Sequence, residues 1–267
     1  MEKLLSTYRT ISLDEMRGIK LMNRIDTKFV TTVESFMRLL ELAHDRYMVQ
    51  ETLGERIIPY QTTYFDTTHM LMYHDHHRGQ FPRQKVRIRT YVPSQLSFLE
   101  VKTKDNHRRT RKKRVSIDFT LNGQLPQGYA FDSRGVLHQH EAFVAQHLKA
   151  ASPQVLIPQL ENQFNRVTLV NNDRTERLTI DTGLCFNNLT TSNKCSVDKL
   201  AIIELKRDGL QYSPVLELLR ELRIMPHGFS KYCMGTAFTN PHVRTNLFKE
   251  RIHYVERVTG TQLLITE

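Results

Sequence analysis

The stretch SFLEVKTK, residues 97–104, alternates in character with a period of two. As a strand it puts Phe98, Glu100, Lys102 and Lys104 on one face and Leu99, Val101 and Thr103 on the other. The alternation recurs in KVRIRT, where Lys85, Arg87 and Arg89 lie opposite Val86 and Ile88, and in RIDTKFV, where Arg24, Asp26 and Lys28 lie opposite Ile25 and Phe29. In AIIELKRD, Glu204, Lys206 and Asp208 share a face with Ile202. Runs rich in β-branched and aromatic residues predict strands over 24–32, 46–51, 57–66, 83–92, 96–104, 111–118, 156–170, 177–186 and 200–208. Helical periodicity predicts helices over 33–45, 68–77, 137–150 and 214–224. Many strands with scattered helices predict an α+β fold around an antiparallel sheet.

A charged strand face is ordinarily a solvated one. Two features argue for burial here. Apolar helix stripes such as Leu216, Leu219 and Leu222 are suited to cover a sheet from outside. The Lys85, Arg87, Arg89 face is single-signed, hence self-repelling unless an anion neutralises it. A closed antiparallel β-barrel tunnel, with charges lining its bore and helices packed outside, meets both conditions. No repeat, low-complexity tract or linker divides the 267 residues, so a single domain over 1–267 is expected.

Composition sharpens the picture. A formal charge of +10 calls for a polyanionic partner. The three cysteines, Cys185, Cys195 and Cys233, form no C-x-x-C and suggest neither a disulfide framework nor a zinc cage, which points to a reducing, cytoplasmic setting. No window approaches the roughly 20 apolar residues of a membrane span, so a soluble chain without its own transmembrane segment is expected. There is no Walker A motif and no G-x-G-x-x-G, so bound phosphates would be held by side chains. The run 102–114 carries eight Lys or Arg against one acid, Asp105. Its tip, with Arg108, Arg109 and Arg111, reads as solvated, while Lys112 and Lys113 fall on a returning strand and, at period two, on opposite faces. Neither an RNP-type aromatic motif nor a helix-turn-helix is present, which disfavours nucleic acid. His74, His76 and His77 lack the i, i+4 spacing of a helical metal pair and read as a solvated helix end.

The ordered series RIDTKFV, KVRIRT, FLEVKTK, FNRVTLV, TIDTG, IIELK and GFSKYCMG resembles the VTC-type polyphosphate polymerase domain, of the triphosphate tunnel or CYTH-like superfamily. The resemblance implies a tunnel into which Glu100 and Lys102 face. It implies that Lys28, Arg87, Arg89, Lys102 and Arg166 contact a triphosphate or product chain, that Ser230 and Lys231 bind phosphate near the reacting end, and that Glu204 holds a divalent metal. Lys206 joins the phosphate set, as does a lysine of the returning strand, assigned to Lys113 with Lys112 as the alternative. Glu100 and Asp181 join Glu204 as metal candidates, Asp181 having a second reading as a strand-end turn carboxylate. The chain departs from the superfamily's E-x-E-x-K opening, with Arg24 and Asp26 in the two Glu positions, and this disfavours a two-carboxylate hydrolase.

The activity implied is transfer of the ATP γ-phosphate onto inorganic polyphosphate with Mn²⁺ or Mg²⁺, catalysed by Lys231, Arg87, Arg89 and Lys102. A membrane-protein partner for the product, and membrane association through it, stay open. Two alternatives use the same residues: a catalytically silent tunnel that binds polyphosphate or another polyanion, and a hydrolase that passes the phosphate to water.

Overall fold

The computed structural model describes residues 1–19, 24–107, 109–117 and 133–263. Arg108 of the expected hairpin tip, and Asp118 of the strand expected over 111–118, lie outside them. In chain order the elements are α1 (Glu2–Leu5), β1 (Thr10–Ser12), α2 (Leu13–Arg17), β2 (Arg24–Thr32), α3 (Val33–Ala43), β3 (Tyr47–Glu51), β4 (Ile58–Thr67), α4 (Leu71–His77), β5 (Arg83–Tyr91), β6 (Leu96–Lys104), β7 (Thr110–Ile117), α5 (Ser133–Gln139), α6 (Glu141–His147), β8 (Leu156–Asn171), β9 (Glu176–Asn188), β10 (Lys194–Val197), β11 (Leu200–Asp208), α7 (Pro214–Glu221), α8 (Lys231–Thr239) and α9 (Lys249–Thr259). The expected α+β class is the observed one. The helix expected over 137–150 is two helices, α5 and α6, and the one expected over 68–77 starts later, at Leu71.

The main sheet runs β2-β11-β9-β8-β4-β5-β6-β7, every neighbouring pair antiparallel. It curls. In a flat sheet β6 and β11 would stand five spacings apart, about 24 Å. Yet Glu204 on β11 and Lys28 on β2 both act on the charge of Lys102 on β6. Ser230 and Lys231, adjacent in sequence, likewise touch Lys85 on β5 and Asp181 on β9.

The expected closed barrel needs one correction: among the described residues no ladder joins β7 to β2. The β2 edge is met instead by the segment after α7, where the His227 N–H donates to the Lys28 carbonyl at 2.8 Å and Pro226 bridges Phe29. This occupies backbone groups that an open edge would leave unpaired. The β7 edge is populated by Arg111, Lys112, Lys113 and Arg114, all exposed, which resists pairing with another chain.

The outer face is apolar and covered by helices. Phe36, Leu39, Leu40 and Ala43 form one stripe of α3 and, with Val215, Leu218 and Leu219 of α7, pack against Phe29, Ile180, Ile203 and Leu205 of the sheet. The Thr32 hydroxyl caps α3 by accepting the Ser35 N–H at 3.0 Å. On the other flank Val86, Ile88, Leu99 and Val101 share a core with Leu137 and Val144 of α5 and α6.

Helix α8 is of another kind, with Tyr232 through Thr239 all buried. It lies so close to the sheet that a Cβ on Gly235 would stand 2.3 Å from the Phe186 ring and 2.8 Å from Leu160, so only glycine fits there. Gly183, at φ 60°, sits where the β8–β9 register shifts between Gln163 and Asn165, and lets β9 bend around the bulge.

The reading of the histidines as a solvated helix end is overturned. His77 is buried, lies against the edge of Phe248 and accepts the Leu247 N–H on Nε2 at 3.1 Å. The packing of α4 against the segment before α9 encloses it, which the helix pattern alone does not reveal.

Candidate functional site

Register fixes which side chains share the inner face, because directly paired residues of an antiparallel ladder project to the same side. Lys28 pairs with Glu204 and Glu204 with Thr179; Arg166 pairs with Asp181; Arg89 with Phe98, Arg87 with Glu100, and Lys85 with Lys102. On β7, Lys112 pairs with Lys102 and Lys113 with Val101. The assignment of Lys113 to the tunnel is therefore corrected: it projects to the outer face, and Lys112 takes the inner place. Period two defined the two faces, and the partner strand supplied the phase.

Glu100, Asp181 and Glu204 are each held by two cations. Arg87 reaches Glu100 Oε2 through Nε at 2.7 Å and Nη2 at 2.6 Å, and Lys112 Nζ reaches Oε1 at 2.9 Å. Arg166 grips Asp181 in bidentate fashion at 2.6 and 2.8 Å, and Lys231 bonds the same carboxylate. Lys28 and Lys206 take the two oxygens of Glu204 at 2.8 and 2.5 Å. Burial alone would raise the Glu100 carboxyl, but Arg87, Arg89 and Lys112 outweigh it and bring it to about 2. Asp181 and Glu204 are likewise driven well below the ordinary carboxylate range against burial, by Arg166 with Lys231 and by Lys28 with Lys206. All three stay ionised. Asp181, inside β9 rather than at a strand-end turn, is 3% exposed.

Of the cations on this face, Lys85, Arg89 and Lys102 have no carboxylate within salt-bridge reach among the described residues. Lys85 Nζ donates to Ser230 Oγ at 2.7 Å. Arg89 Nε lies 3.4 Å from the Thr62 hydroxyl, and its guanidinium faces the Tyr60 and Phe164 rings. Lys102 is accessible to solvent though the wall surrounds it, as expected for a wet bore. Burial, Arg87, Lys28 and Lys85 push it down to about 7 against the pull of Glu204. Burial and Arg166 bring Lys231 to about 7, opposed by Asp181, and burial brings Lys206 to about 8, opposed by Glu204. Lysines depressed in this way mark a positive field that an anion would relieve.

The N-terminus of α8 completes the site. Ser230 caps it by accepting the Cys233 N–H at 3.3 Å. Tyr232 donates to Asp66 at 2.5 Å, and Asp66 also accepts the N–H groups of Met72 and Tyr73, so α8 is tied to the start of α4. The structure thus brings together Lys28, Arg87, Arg89, Lys102, Arg166, Lys206, Ser230 and Lys231 from the expected set. Lys85, Lys112, Tyr60 and Phe164 join them. Lys85 carried a usable signal, being on the same period-two face as Arg87 and Arg89; the two aromatics carried none.

The expected metal ligands do not converge. Among the described residues no three His, Cys, Asp or Glu side chains form a group able to hold a metal ion. Glu100, Asp181 and Glu204 are each engaged by two cations, so the donor set does not fit a resident ion in a carboxylate cage.

No curated relative matches the chain. Among solved structures it is similar to a candidate adenylate cyclase from Vibrio parahaemolyticus (8% identity, TM-score 0.44, covering 79% of this chain and 96% of that one). It is also similar to a candidate adenylyl cyclase from Hippeastrum described with a dominant triphosphatase activity (13% identity, TM-score 0.43, 81% and 96% covered). A third is a conserved hypothetical protein from Pyrococcus furiosus (12% identity, TM-score 0.40, 77% and 97% covered). The VTC domain matches residues 23–240, a span from β2 through α8 that contains every inner-face residue named above, and the chain belongs to the VTC domain family.

Proposed function

We propose that this protein is a polyphosphate polymerase that transfers the γ-phosphate of ATP to the end of a growing inorganic polyphosphate chain. The observation that carries the reading is the surplus of positive charge on the inner face, with Lys85, Arg89 and Lys102 unmatched by carboxylates beside three carboxylates already doubly held. A chain of phosphates supplies the missing negative charge.

The residues divide the work. Glu100 fixes one edge of the Arg87 guanidinium and leaves its other donors for phosphate oxygens. Arg89, Lys102 and Lys85 add charge along the same wall, with Lys28, Arg166 and Lys206 opposite. Lys231, beside the capped start of α8, neutralises charge on the transferring phosphoryl group. A terminal oxygen of the acceptor chain attacks the γ-phosphorus, the bond from that phosphorus to the β–γ bridging oxygen breaks, and ADP leaves with the electron pair. Positioning and electrostatics suffice for such a transfer. Mn²⁺ or Mg²⁺, brought as the nucleotide's own chelate, would neutralise charge on the phosphate oxygens, and Glu204 would be the carboxylate to hold it.

The test is incubation of the purified protein with ATP and Mn²⁺, followed by separation of the products by length on a gel. A ladder of lengthening phosphate chains supports the polymerase. Free phosphate without chains would make the protein a hydrolase, and neither product would leave a polyanion-binding tunnel.

A further inference from the structure

The two ends of the β5–β6 wall differ in chemistry. Toward the start of β5 and the end of β6 the inner face carries Arg83, Lys85, Lys102 and Lys104. Toward the β5–β6 turn it becomes aromatic. Phe164 stacks on Tyr60 at 5.2 Å, Tyr60 meets Tyr91 at 4.8 Å, and Tyr91 meets the Phe98 edge-on at 5.9 Å. Exposure rises along this series: Phe164 and Tyr60 are buried, Tyr91 and Phe98 are partly open, and Leu96, paired with Tyr91, is 52% exposed. The exposed Arg114 of β7 lays its guanidinium over Phe98 at 4.4 Å. Phe98 is also the direct cross-strand partner of Arg89, one of the cations left without a carboxylate.

We propose that this aromatic rim, centred on Phe98 with Tyr91 and Arg114, binds the nucleobase of the incoming nucleoside triphosphate, which gives the tunnel a polarity: nucleoside at the aromatic end, product chain toward the basic end. The assignment rests on the reading of the bore as a triphosphate site. A base offers a flat π-face to an aromatic ring and to a guanidinium plane, and such stacking is sequence-tolerant. Arg89, one strand spacing from Phe98, stands where the first phosphates follow the ribose. The basic end has its own ring, Phe81, but Arg83 and Lys104 lie over it at 4.5 and 5.6 Å, and among the described residues no ring stacks on it to continue it into the bore.

Calorimetric titration of the full chain with ATP and, separately, with inorganic tripolyphosphate tests this. Phe98→Leu, which keeps apolar volume, and Tyr91→Leu are compared with the parent. The expected result is that Phe98→Leu weakens ATP by at least about fivefold and leaves tripolyphosphate within about twofold. Equal losses for both ligands, or no change for ATP, would overturn the base site while the triphosphate reading stands. Failure of the parent protein to bind either ligand would overturn both.

Discussion

At the scale of single residues, the site consists of ions that restrain one another. Glu100 is 1% exposed and keeps Arg87 and Lys112 apart from their own repulsion. Removing one member of a buried pair costs about 3 to 5 kcal/mol, because the charge left behind is desolvated and uncompensated. Glu100→Gln should therefore unfold at distinctly lower temperature than the parent without ligand, and tripolyphosphate should raise its melting temperature by more than it raises the parent's. Thermal melts with and without the anion check this, and an equal ligand-induced rise would argue against Glu100 as the restraint on Arg87.

The lysines give a pH dependence whose sign is fixed. In the empty bore Lys102 and Lys231 lose their protons as pH rises through about 7. An unfolded lysine holds its proton to about 10.4, so the unfolded state binds more protons between these values and ligand-free stability from these groups rises with pH. A bound polyanion raises both pKa values again. Tripolyphosphate affinity should then be full below about pH 7 and fall by up to roughly tenfold per group per pH unit above it. Calorimetry at pH 8 in two buffers of different ionisation enthalpy should show proton uptake on binding; none would mean that these ammoniums already carry their charge.

At the scale of elements, β7 decides a question that sequence left open. Its ladder with β6 turns Lys112 to Glu100 and Lys102 and turns Lys113 outward opposite Val101. Lys112→Ala should weaken tripolyphosphate by roughly 1 kcal/mol or more, whereas Lys113→Ala should leave it unchanged; the reverse order would show that the strand pairs in another register. Other elements explain what could be read in advance. The strands β2, β6 and β11 were legible to the residue because each sets alternating charged and apolar side chains within a run of β-branched and aromatic residues. Helix α8 was not, since KYCMGTAFT is buried on every side and so shows no amphipathic stripe. Its cap, Ser230, and its first residue, Lys231, were singled out only through family resemblance. The pairing of each of these carboxylates with two cations was invisible for a related reason: Glu100 meets Lys112 only once β6 and β7 pair in this register, and Asp181 meets Lys231 only once α8 is seated on the sheet.

At the scale of the whole molecule, the proposed polymerase requires one continuous track of cations rather than a pocket for a single triphosphate. Lys102 on β6 senses Lys28 and Glu204 on the strands across the bore, so a polyanion threaded between them meets both walls at once. Affinity for polyphosphate should then rise with chain length until the bore is filled, and long chains should compete with ATP. Each phosphate neutralised releases counterions, so binding should weaken steeply with salt, and the slope should grow with chain length over the same range and then level off. Lys231→Ala should abolish elongation, because its ammonium is assigned to the transferring phosphoryl group. Long-chain binding should survive, carried by Arg87, Arg89, Lys102, Lys28 and Arg166. A filter-binding series over chain length and ionic strength, run beside the gel assay on the same variant, checks both halves. If length made no difference to affinity, or if Lys231→Ala lost binding and synthesis together, the bore would be a closed site for one triphosphate and the cations beyond it would be serving the fold alone.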